Sequence, residues 1–146
     1  MKSDKEKIDI ILFGNYSEKI KELWYALFAL KMPHAIVFLS GTAQLRAYLI
    51  KRQNKTIIFL SAIEGKNEKL LRTIGGLRAY TTLSIAVYDP IGIVSNIEDL
   101  FAVGANIYIH KPENRAELLH TIRQVMVMNS QFASGNFNRE TYFLSA

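Results

Sequence analysis

The chain has 146 residues, 49% of them hydrophobic and 21% charged, and its 18 basic against 13 acidic side chains give a net charge of +5. That length fits one domain, which buries enough surface to need no covalent staple. The absence of cysteine removes disulfide frameworks, thiolate metal sites and thiol catalysis together.

Short β-rich apolar runs alternate with helical stretches along the chain. The first run, Ile8–Phe13, precedes a helix that Ser17 can cap, with Ile20, Leu23, Trp24, Leu27, Phe28 and Leu30 as its expected apolar stripe. Ala35–Leu39 is the second strand, followed by a helix from Thr42 to about Lys51. Thr56–Leu60 is the third, before a helix from about Lys66 to Ile74 that stops at Gly75-Gly76. Leu83–Tyr88 is the fourth, after which Ser95-Asn96-Ile97-Glu98 reads as a capping box for a helix that Gly104 ends. Ile107–Ile109 is the fifth, and Asn114 can cap the last helix, whose buried face holds Leu118, Leu119, Ile122, Val125 and Met126.

The strand runs are continuous rather than alternating, as expected where helices cover both faces of a sheet. Five strand–helix pairs predict a three-layer, doubly wound α/β domain over 7–128 with a five-stranded parallel sheet. The tail 129–146 ends in Phe137, Tyr142, Phe143 and Leu144, which are expected to fold back onto the domain. No apolar run reaches the length of a membrane helix, and the charged N-terminus lacks a signal-peptide pattern. A cytoplasmic protein is expected.

Eight basic residues fall between Arg46 and Arg78 against only Glu64 and Glu68. No nucleic-acid-binding motif accompanies them, so the zone reads as a solvated basic face rather than a nucleic-acid site. Catalytic signatures are equally absent. No glycine-rich dinucleotide or phosphate loop follows a strand, Ser61 lacks the glycines of a nucleophile elbow, and His34, His110 and His120 have no metal-ligand spacing. No enzymatic activity is expected.

In an open parallel sheet, ligands bind beyond the carboxyl ends of the strands. Those ends are Gly14-Asn15, Ser40-Gly41, Ser61-Ala62, Asp89-Pro90 and His110-Lys111-Pro112. The segment Gly104-Ala105-Asn106-Ile107-Tyr108-Ile109-His110-Lys111-Pro112 closely resembles the last-strand signature of response-regulator receiver domains. Asp89 and Lys111 stand 22 residues apart, the family's step from its Ser/Thr switch position to its lysine. Arg139–Ser145 also resembles the tails of stand-alone bacterial receivers.

The resemblance implies the CheY-like, flavodoxin-like (βα)5 fold with strand order 2-1-3-4-5. In that family an acidic pair after the first strand and an aspartate after the third hold Mg²⁺, and the latter aspartate accepts a phosphoryl group from a histidine kinase. Carried over, the acidic pair falls on Gly14 and Asn15, the acceptor on Ser61 and the hydroxyl switch on Asp89. Of these pocket positions, Lys111 alone matches. Tyr108 matches the aromatic that turns inward or outward with pocket occupancy, and Lys111-Pro112 resembles the family's cis peptide.

Mg²⁺ seeks octahedral oxygen ligands, including one or two carboxylates. All three family carboxylates are replaced, so no Mg²⁺ or other cofactor is expected. A phosphoryl group on Ser61 would bring about −1.5 to −2 charges. Asp89 would then repel it by about 4 kcal/mol per unit charge pair at about 4 Å and an effective dielectric near 20. These substitutions point to a phosphorylation-independent pseudo-receiver in a two-component phosphorelay, with an Asp89–Lys111 ion pair expected across the pocket. Its partners would be a histidine kinase, an output protein or itself, including a homodimer through the side from the fourth to the fifth helix. The alternatives are a phosphorelay regulator with an atypical acceptor and a flavodoxin-like small-molecule-binding protein.

Overall fold

The computed structural model describes residues 8–14, 17–30, 34–51, 55–63, 65–76, 83–110, 112–133 and 143–145. Strands β1 (Ile8–Phe13), β2 (His34–Leu39), β3 (Thr56–Ser61), β4 (Leu83–Asp89) and β5 (Ile107–His110) alternate with helices α1 (Glu18–Phe28), α2 (Thr42–Lys51), α3 (Asn67–Gly75), α4 (Ile97–Ala102) and α5 (Arg115–Ala133). The order β2-β1-β3-β4-β5 matches the doubly wound arrangement, and every pairing is parallel. One element exceeds the expected five strands. Phe143–Ser145 form β6, parallel to β5, so the sheet has six strands.

Two apolar layers sandwich the sheet. On one side Ile10, Leu12, Phe59, Tyr88 and Ile109 pack under α1 and α5. On the other, Ile11, Ile58, Leu60, Val87 and Tyr108 pack under α2, α3 and α4. The even–odd division follows from the two-residue period of a strand, and burial of both sets explains why the runs are apolar throughout.

Ser17 caps α1, its Oγ accepting from Ile20 N at 3.3 Å, and Asn114 Oδ1 accepts from Glu117 N at 2.9 Å at the start of α5. Two helical readings need correction. The buried stripe of α1 is Ile20, Leu23 and Leu27, while Trp24 and Phe28 are exposed. No capping box forms at Ser95–Glu98, because Asn96 is the N-cap of α4 and makes no side-chain capping bond. Buried Asn106 secures the entry to β5: its Oδ1 accepts from Ile85 N, and its own N–H donates to Ile85 O, both at 2.8 Å.

Candidate functional site: the carboxyl end of the sheet

Gly14 follows β1 with φ +133, and a Cβ placed there would sit 3.1 Å from Ser61 Cβ. Positions 14 and 61 are therefore brought together as the resemblance implies. Between them they offer a side-chain-free backbone and one half-buried hydroxyl, with no carboxylate. Asn15 lies outside the described residues, as does Lys111. The expected Asp89–Lys111 pair and the expected cis Lys111–Pro112 bond therefore fall outside them too. Pro112 lies beside Tyr88 and Pro90 in a groove of about 160 Å³.

Asp89 ends β4 and is fully buried. An isolated carboxylate there would be costly, because the interior cannot replace its hydration. Three donors replace that hydration. Ile93 N donates to Oδ1 at 2.9 Å, Val94 N donates to Oδ2 at 3.1 Å, and the Tyr108 hydroxyl donates to Oδ2 at 2.5 Å. Asp89 thus ties the segment leading into α4 to the end of β4, and ties both to β5.

The local sequence explains this meeting. The β4–β5 register sets Val87 opposite Tyr108 and Asp89 opposite His110. Positions 87 and 89 share one face of β4, and 108 and 110 share the matching face of β5. Tyr108 is turned inward and fully buried. Burial first, and then the hydrogen bond and charge of Asp89, hold its hydroxyl far above the usual tyrosine value.

His110 joins the same group, with Nδ1 3.2 Å from the Tyr108 oxygen. A hydroxyl has one proton to give, and Tyr108 gives it to Asp89. The His110 contact is therefore satisfied when Nδ1 carries its proton and donates, which makes a relay from His110 through Tyr108 to Asp89. The spacing of histidines along the chain misses this role. The missed signal is the i, i+2 step from Tyr108, which puts His110 on the Tyr108 face.

Among the described residues, no group of three or more His, Asp or Glu side chains is placed to hold a metal ion. No helix among them is long and apolar enough to cross a membrane. Within the basic zone, Arg46, Lys51, Lys66, Lys69 and Arg72 are exposed and Lys55 is half-buried. Phe137 and Tyr142 of the tail lie outside the described residues.

No protein-family model matches the chain, and no curated protein matches it in sequence. Solved structures do match it in fold. The signal receiver domain of an HD domain-containing protein from Pseudomonas fluorescens is 18% identical, with 92% of this chain and 96% of that one covered at a TM-score of 0.66. The phosphorylated cyanobacterial phytochrome response regulator RcpA is 16% identical, covering 88% and 96% at 0.64. The pilus assembly protein CpaE from Caulobacter crescentus is 14% identical, covering 80% and 98% at 0.55. The strand order, the five strand–helix pairs and these likenesses agree: the chain has the CheY-like fold of response-regulator receiver domains.

Proposed function

We propose that this chain is a receiver-like domain of two-component signalling that works without phosphorylation, as a pseudo-receiver acting through protein–protein contacts. The observation that carries the reading is the buried Asp89 carboxylate at the switch position. It already holds Tyr108 inward and the Ile93–Val94 backbone in place. In the family a phosphoryl group is needed for a comparable rearrangement; here a side chain of the protein occupies that role. The face beside α4 then has one resting shape, and a kinase or an output protein would recognise that shape rather than a modified form.

The donor set favours the same reading. Positions 14 and 61 supply no carboxylate, and the oxygens of Asp89 are committed to two amides and a hydroxyl, so the described residues do not fit Mg²⁺. A phosphoryl group at Ser61 would also add its charge near a sheet end that already buries a carboxylate.

Incubation with acetyl phosphate and Mg²⁺, followed by intact-mass measurement, tests the proposal. The expected spectrum shows the unmodified chain. A stoichiometric gain of about 80 daltons, the phosphoryl increment, would overturn the reading in favour of a regulator with an atypical acceptor.

A further inference from the structure

The ends of β2, β1 and β3 lie side by side, and the winding of the sheet reverses between β1 and β3, where open parallel sheets take their ligands. A cavity of about 370 Å³ opens there, on the side of α2 and α3. Its more buried lining is apolar: Phe13 from the end of β1, Ile63 from the loop after β3 and Leu70 from α3. Its exposed lining is polar, with Ser40 and Thr42 at the approach to α2 and Lys66 and Lys69 at the start of α3. Among the described residues, no carboxylate lines it.

Local sequence brings both ammonium groups to this cavity. Lys66, Lys69 and Leu70 stand at i, i+3 and i+4, the spacing that sets side chains on one side of a helical turn. The loop before them is fixed. Asn67 is buried and its Oδ1 accepts from Ile63 N at 2.8 Å, and Gly65 makes the turn with φ +77. Two cations at that spacing repel each other, and both stand where the dipole of α3 favours an anion. Glu68 is the acidic residue of the same turn, and it lies with Asp99 along a neighbouring groove that Lys66 also borders. Among the described residues, neither lysine has a carboxylate within salt-bridge distance.

We propose that this cavity takes a small phosphate monoester with an apolar or planar body, the phosphate between Lys66 and Lys69 and the body against Phe13, Ile63 and Leu70. Such a phosphate carries about −1.5 to −2 charges, which two ammonium groups neutralise, and the Thr42 hydroxyl can donate a further bond. Side chains rather than backbone hold the anion, because the amides of Ser40 and Gly41 already donate to Gln44 Oε1, at 3.1 and 3.2 Å. A bare phosphate has the bulk of a few waters, at about 30 Å³ each, and would leave most of the cavity unfilled. Sites for small organic molecules run from about 300 to 1,000 Å³. Neither Ser61 nor Asp89 is among the described lining, so binding here neither requires nor prevents signalling without phosphorylation.

Amide spectra of the full chain during titration with phenyl phosphate, with Lys66→Gln and Lys69→Gln as variants, test the proposal. Saturable shifts of the Phe13, Ile63 and Leu70 amides are expected in about the millimolar range. Each variant should weaken binding by about tenfold, through loss of one charge-assisted contact. Inorganic phosphate should bind about tenfold more weakly for want of the apolar contact, and benzyl alcohol should give no saturable shift at these amides. Adenosine monophosphate distinguishes the source: tighter binding than phenyl phosphate assigns the site to nucleotides, weaker binding to smaller phosphate esters. Without ligand, both variants should unfold no earlier than the parent, since each removes one of two repelling charges from an exposed position. Absence of saturation by phenyl phosphate and adenosine monophosphate alike, at concentrations about tenfold above that range, would overturn the proposal. So would equal affinity for inorganic phosphate, or binding that both variants leave unchanged.

Discussion

Replacing Asp89 with alanine is expected to cost about 3–4 kcal/mol of folding free energy, by urea denaturation. The substitution strands two backbone amides and a buried hydroxyl, each worth about 1–3 kcal/mol when left unsatisfied. Water can reach the half-buried amides of Ile93 and Val94, which keeps the sum below its upper bound. Tyr108→Phe should cost less, about 1–2 kcal/mol, because the carboxylate keeps both amides. The double variant should then cost less than the two single changes added together, by about the energy of the shared hydrogen bond. Exchange of the Ile93 and Val94 amides should quicken in Asp89→Ala and stay slow in Tyr108→Phe. A loss below about 1 kcal/mol in Asp89→Ala would show that the carboxylate is not what holds the segment before α4.

Above about pH 10, the ordinary tyrosine value, the chain should lose stability steeply. Tyr88 and Tyr108 are both buried, and both hydroxyls hold their protons far above that value in the folded state. For Tyr88 the cause is burial first and the Glu22 carboxylate second; for Tyr108 it is burial first and Asp89 second. Once the unfolded chain has lost these protons and the folded chain still holds them, unfolding is favoured by each further rise in pH. The stabilisation is complete below about pH 10 and declines above it, by about 1.4 kcal/mol per pH unit for each tyrosine. Denaturation midpoints measured from pH 9 to 11.5, compared with those of Tyr88→Phe and Tyr108→Phe, check this. Each variant should flatten the decline by about one tyrosine's share. Equal slopes in all three proteins would contradict the assignment.

The strand runs were legible because parallel strands buried on both faces are apolar throughout, and β1 begins and ends where its run does. The other four strands each gain one polar residue: His34, Ser61, Asp89 and His110. Hydrophobicity does not mark those positions, because a strand goes on pairing after its side chains turn polar. The exposure of Trp24 and Phe28 was not legible, since periodicity reports an apolar stripe without saying how many neighbouring helices cover it. Three residues of β6 behind a polar tail are too short for a pattern, and only the edge of β5 gives them a place.

The site divides in the same way. The positions of Gly14, Ser61, Asp89 and Tyr108 came from the resemblance, and the structure sets Gly14 against Ser61 and Asp89 against Tyr108. The partners of Asp89 could not be read from spacing. Two are backbone amides in a loop, and His110 enters the group through strand register.

Backbone amide and tyrosine-ring spectra, recorded before and after Mg²⁺ and acetyl phosphate are added together, test most directly whether the switch is closed by the chain's own carboxylate. The Ile93 and Val94 amides and the Tyr108 ring should keep their positions, because Asp89 already holds them. Displacement of those three signals would show a pocket that still waits for a phosphoryl group, and would contradict this account.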